Sequence, residues 1–132
     1  MVAKISQLQR ARVSIVPQDI STARTGNFID VSGAQRISAI FNVASVTATK
    51  KVTTKLLQAK DAAGTGAKDL TTATDTVAPT GGAPLAPSID AQISDLDTAN
   101  GYSFVAAYAV SDNGSAVYGG ATILLSGNRY NP

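Results

Sequence analysis

The stretch Tyr102–Gly127, YSFVAAYAVSDNGSAVYGGATILLSG, decides the reading of the fold, because it holds two alternating apolar runs joined by Asp112-Asn113-Gly114-Ser115. In the first run Tyr102, Phe104, Ala106, Tyr108 and Val110 share one face by the strand period of two, and Ser103, Val105, Ala107, Ala109 and Ser111 share the other. In the second, Val117, Gly119, Ala121, Ile123 and Leu125 alternate with Ala116, Tyr118, Gly120, Thr122 and Leu124. Neither run carries a charge, so both strands belong in the middle of a sandwich, with a second sheet covering one face and smaller groups or a partner covering the other. Asn113-Gly114 suits a type I′ turn, which predicts that the two runs form one β-hairpin. On this reading Phe104 and Phe41 are buried mid-strand, and Gly114 tolerates substitution less well than Gly64.

Working outward, Ala11 to Val16 reads as a strand that Pro17 stops, and Phe28 to Val31 as a short strand ended by Gly33. Arg36 to Val46 is a better strand, with Ile37, Ala39, Phe41 and Val43 inward. In Lys51 to Ala59, Val52, Thr54 and Leu56 alternate with Lys51, Thr53, Lys55 and Leu57, and the lysines at 50, 51 and 55 predict a blunted edge. A loop over 61–69 returns into a Thr-rich strand, Leu70 to Val77. The prolines and Gly81-Gly82 between Ala78 and Ser88 mark a crossover between sheets. Ile89 to Leu96 is a strand start or a helical turn, and Asn100-Gly101 is a second turn signal. The fold class that results is all-β, an antiparallel β-sandwich of jelly-roll type. Residues 1–132 read as a single domain with an N-terminal arm, 1–9, and a C-terminal tail, 127–132.

The chain has no His, no Cys and no Glu, which removes together the common general bases, thiolate nucleophiles and zinc ligands. No enzyme activity, catalytic residue, metal or cofactor is expected. Asp95 with Asp97 is the nearest thing to a carboxylate pair, and Asp90, Asp95, Asp97 and Asn100 are oxygen ligands of a kind calcium takes, but their spacing matches no EF-hand loop. Gly64 to Lys68 resembles a phosphate loop only superficially, since Asp69 stands where that loop has Ser or Thr. No stretch approaches the roughly 20 apolar residues of a membrane span, and no signal-peptide pattern opens the chain. A cytoplasmic origin fits the lack of cysteine.

Charge is unevenly spread. Residues 1–60 carry nine Lys/Arg against Asp19 and Asp30, whereas residues 61–132 carry Lys68 and Arg129 against seven Asp. Strands from distant parts of a sandwich interleave, so solvated faces are the plain expectation and a basic patch facing an acidic partner the alternative. A nucleic-acid patch of lysines is not expected, because few aromatic residues are placed to stack bases.

Three stretches carry a resemblance: QAKDAAGTGAKD at 58–69, DLDTANGYSFV at 95–105 and RYNP at 129–132. Together they look like small virion proteins of tailed bacteriophages, and in size and β content the chain is most similar to capsid cement, or decoration, proteins. The resemblance implies a protein made in the host cytoplasm that binds the outside of the head shell and bridges its subunits. Its partners would be the major capsid protein and further copies of itself, as a dimer or trimer, with no membrane and no nucleic acid. Surface groups and terminal arms would make the contacts: Ile5, Leu8, Lys50, Lys51, Lys55, Arg129 and Tyr130. The alternatives are a tail or receptor-binding module of the same fold and a nucleic-acid-binding β-barrel.

Overall fold

In a computed structural model, which describes residues 9–82 and 84–127, ten strands form two antiparallel sheets. They are β1 (Gln9–Asp19), β2 (Arg24–Thr25), β3 (Ile29–Asp30), β4 (Arg36–Val43), β5 (Lys51–Ala59), β6 (Lys68–Asp69), β7 (Thr74–Val77), β8 (Ser88–Gln92), β9 (Phe104–Ser111) and β10 (Tyr118–Ser126). The first sheet has the order β1-β10-β4-β8; the second runs β2-β9-β5-β6, with β3 also on β9 and β7 also on β5. Counting β2 with β3 and β6 with β7 as single positions leaves the orders 1-8-3-6 and 2-7-4-5, a jelly roll. Every connection except the one from β5 to β6 and β7 crosses between sheets or joins pieces of one strand position.

That topology overturns the hairpin. β9 pairs with β5 over its whole length, Phe104 against Ala59 to Ser111 against Val52, while β10 pairs with β4 and β1 in the other sheet. The connection over 112–117 therefore bridges the sheets, and Ile20 holds its two ends: the Ser111 N–H donates to the Ile20 carbonyl and the Ile20 N–H to that of Val117, each at 2.8 Å. Neither Asn113 nor Gly114 has a positive φ, so no type I′ turn forms. Alternation reports which face a side chain takes but not which strand lies alongside, and Asn-Gly is as compatible with a wide arch as with a tight hairpin. The glycine ranking reverses with it. A Cβ on Gly114 meets open space, whereas Gly64 sits at φ +84° and a Cβ there would lie 2.8 Å from the Phe28 ring.

The core lies between the sheets. From the first come Ile15, Ile37, Phe41, Ile123 and Leu125; from the second Val52, Leu56, Val105, Ala107 and Ala109. Both inner faces mix large groups with small ones, Ala39, Ala91 and Ala121 on the first sheet and Ala107 and Ala109 on the second, which keeps the layers at close-packed spacing and gives the plentiful alanine its place. Phe41 is fully buried as expected. Phe104 is not: the inward face of β9 is Val105, Ala107, Ala109 and Ser111, and Phe104 lies half-buried on the outer face of the second sheet.

Two further expectations change. β1 continues through Pro17 to Asp19, because register shifts at Ser14 and at Val16-Pro17 make bulges in a sheet-edge strand, where a missing N–H is harmless. β5 is not an edge; β9 flanks it on one side and β6 and β7 on the other, and its lysines have partners there. The other readings hold more closely. β4 and β5 bury the residues expected, the 78–88 segment crosses between sheets, and residues 89–96 supply both a strand and a 3-10 turn over Ile93–Asp95.

Buried polar groups stitch the layers. The first bulge of β1 turns Ser14 as well as Ile15 inward, and its hydroxyl donates to the Asn27 carbonyl at 3.0 Å and accepts the Ala107 N–H at 2.9 Å, in the gap that β2 and β3 leave on β9. Gly26 is required beside it, since a Cβ there would overlap Ser14. In β5 the buried Gln58 donates to the Asp69 carbonyl and accepts the Asp97 N–H. Among the described residues no buried side-chain polar atom is left without a partner.

Candidate interaction surfaces

The outer face of the second sheet places two of the expected contact residues. Lys51 and Lys55 both project from β5, and each meets a carboxylate on the neighbouring strand: Lys51 Nζ lies 2.9 Å from Asp75 and Lys55 Nζ 3.0 Å from Asp69. Lys55 also lies over the Tyr108 ring, 4.7 Å from its centroid. The hydrogen bond to Asp75 raises the pKa of Lys51 above its ordinary value; the Thr53 hydroxyl, then Lys51, lower that of Asp75. The basic first half of the sequence is thus partly neutralised by the acidic second half through strand pairing. Lys50 is exposed in the preceding loop, where its N–H donates to the Thr47 carbonyl. Ile5, Leu8, Arg129 and Tyr130 lie outside the described residues; of the arm and tail that carry them, only Gln9, which already belongs to β1, and Gly127 are described.

The candidate acidic cluster does not converge on one point. Asp97 pairs with Lys68 at 2.6 Å and accepts from the Asn100 amide; these two partners, in that order, hold its carboxyl below the usual range. Asp95 accepts the Gln92 N–H, and Asp90 the Ser38 hydroxyl. Among the described residues no group of three carboxylates, His or Cys is arranged to hold a metal ion.

At the end of the sandwich where these residues lie, an open cleft of about 500 Å³ is lined by Val31, Ala34, Ile93, Leu96 and Tyr102, with Gln35 on its rim. The Tyr102 hydroxyl donates to the Gly66 carbonyl at 2.8 Å, and Lys60 and Lys68 cover its ring. The cleft offers apolar contact, and it brings no acid and base together.

The outer face of the first sheet holds residues that are not among the expected contacts, although smaller groups or a partner are expected to cover the second face of the Tyr102–Gly127 strands. Tyr118, Gly120, Thr122 and Leu124 of β10 lie there beside Ala11, Val13 and Val16 of β1 and Ser38, Ile40 and Asn42 of β4. Val13 is 52% exposed, Val16 57% and Tyr118 61%, and the only other large exposed hydrophobic among the described residues is Val77, on β7. A signal was present: Val13, Ile15 and Val16 break strict alternation, the mark of a bulge that sends two of the three outward.

Neither a protein-family model nor a curated protein matches this sequence. Solved structures do match in shape. A chain of the infectious bursal disease virus VP2 subviral particle superposes with a TM-score of 0.54 at 10% identity, over 93% of this chain and 34% of that one. A chain of broad bean stain virus does so with a TM-score of 0.51 at 10% identity, over 93% of this chain and 92% of that one. A chain of the Gx strain of infectious bursal disease virus gives 0.51 at 11% identity, over 93% and 33%. This chain therefore spans about a third of the length of the bursal disease virus chains and nearly the whole of the bean virus chain. At such identities the likeness establishes the jelly-roll sandwich as the shared fold.

Proposed function

We propose that this chain is a non-enzymatic structural protein of a virion and, within that class, a capsid cement protein of a tailed bacteriophage. It binds the outer surface of the head shell and stabilises it by bridging major capsid subunits. The observation that carries this reading is the jelly roll itself, shared over 93% of the chain with chains taken from virus particles. Two features of the molecule support it. Its buried polar side chains, Ser14 and Gln58 among them, are engaged in hydrogen bonds that join strands and loops of the sandwich. Its accessible features are broad faces and an open cleft, the form that protein contact takes. Lys50, Lys51 and Lys55, with Ile5, Leu8, Arg129 and Tyr130, are the residues assigned to the shell contact. With Lys51 and Lys55 already paired to aspartates, a nucleic-acid groove is the weaker use of this face.

Quantitative mass spectrometry of purified particles from the genome that encodes this chain tests the proposal. Copies in the same range as the major capsid protein are expected. A few copies per particle would assign it to the tail, and absence from particles would refute a virion role.

A further inference from the structure

We propose that the outer face of the first sheet, centred on Tyr118 and the groove over Gly120, binds a second copy of this chain across a two-fold axis. Three of the four large hydrophobics exposed among the described residues, Val13, Val16 and Tyr118, fall on this one face. Scattered singly they would be ordinary; gathered, they mark a contact surface. The row across the sheet from Val13 through Thr122 and Ile40 to Ser88 carries no charge, and neither does the next, where Gly120 stands opposite Asn42; charge enters only at the flanking rows, with Asp90 beyond Leu124 and Ser38 and with Asp19 opposite Tyr118, where the carboxylate accepts the Ser21 and Val117 N–H groups. A surface facing its own copy presents every charge twice, so an uncharged centre suits self-association better than contact with a charged partner.

Shape points the same way. A hollow of about 280 Å³ lies between Val13, Pro17, Asn42, Gly120 and Thr122, where the β1 bulge closes to within 2.9 Å of where a Gly120 Cβ would be and so requires glycine. Tyr118, two residues away on the same side of β10, stands up at the rim. A projecting ring and a hollow on one patch are self-complementary under a two-fold rotation, in which each Tyr118 enters the partner's hollow. Four strands about 4.8 Å apart and eight residues at about 3.4 Å each give roughly 500 Å² of flat area, more with side-chain relief, approaching the ~800 Å² per partner of a standard interface. Edge-to-edge pairing through β1 is disfavoured by its two bulges and by Pro17. The inference rests on this patch alone and is independent of the virion proposal, which particle composition tests separately.

Sedimentation equilibrium of the full chain up to about 1 mM, the weak end of specific affinity, reads it directly. A monomer–dimer equilibrium is expected, with the dissociation constant raised about tenfold or more by Tyr118→Lys and by Val16→Lys, the size of effect expected at an aromatic hot spot. Val77→Lys, on the other sheet, should leave it unchanged. Thermal melts show that each variant is folded, and Val16→Lys in the exposed bulge keeps the test alive if Tyr118→Lys unfolds. A chain that stays monomeric, a dimer indifferent to folded patch variants, or a trimer would overturn the proposal.

Discussion

On the outer face of the second sheet, Lys51 and Lys55 of β5 stand against Asp75 of β7 and Asp69 of β6, and Tyr108 lies under one of the ammonium groups. On the outer face of the first, the central strand β10 presents Gly120 and Thr122 to uncharged neighbours, with charge only in the flanking rows, at Asp19 opposite Tyr118 and at Asp90 beyond Leu124 and Ser38. The difference shows where a polarised sequence spends its charge. Pairing the lysines of β5 with Asp69 of β6 and Asp75 of β7 satisfies the second sheet internally, whereas the first sheet reaches solvent with Val13, Val16 and Tyr118 exposed.

The largest effect expected from breaking this arrangement is at the inner face of the first sheet. Phe41→Ala should cost about 3–5 kcal/mol in chemical denaturation, the usual result of emptying a buried aromatic site. Phe104→Ala, on the outer face of the second, should cost only about 1 kcal/mol, as expected of a half-buried ring. Equal losses at the two sites would contradict the facing of β9.

Next comes the link between the sheets. Ser14→Ala strands the buried Ala107 N–H and should cost about 1–3 kcal/mol. Gly64→Val forces a left-handed backbone onto a β-branched residue beside Phe28 and should cost at least about 1–2 kcal/mol. Gly114→Val, in open space at negative φ, should stay within about 0.5 kcal/mol of the parent. Melts that rank the two glycines the other way would restore the hairpin.

The smallest effects belong to the surface carboxylates and ammonium groups held by hydrogen bonds and ion pairs, and are best read against pH. Asp19, Asp61, Asp75 and Asp97 are held below their ordinary value of 3.8, chiefly by hydrogen bonds from Ser21, Thr65, Thr53 and Lys68 respectively. Their contribution is present above pH 3.8 and lost as pH falls through the lowered values. Lys51 and Lys68, raised above 10.5, contribute fully below that pH and lose the contribution as pH climbs through the raised values. Melting temperature should therefore change little between these limits and fall outside them; Asp75→Asn should flatten the acid arm.

Period-two alternation made the strands, the inward faces of β4 and β5, and the crossover over 78–88 legible from residues alone. Partnership was not legible, because nothing local in Asp112 to Val117 tells an arch between sheets from a hairpin within one; that depends on β4 and β5 claiming the sides of β10 and β9. The same limit hid the partners of Lys51 and Lys55, which come from strands more than ten residues away in sequence. It also made Phe104 look like core, since both faces of β9 are apolar and only the opposing sheet decides which is inside. The patch around Tyr118 required knowing that β1 bulges twice.

Retention on assembled shells tests the central claim most directly. Full-length protein, and versions lacking residues 1–9 or 129–132, would be added to purified heads stripped of this chain and sedimented, with the melting temperature of each free protein measured alongside. Saturable binding by the intact chain in fixed ratio to shell subunits, lost in at least one truncation whose melting temperature is unchanged, is the predicted result. No binding by the intact chain to stripped heads would contradict the account.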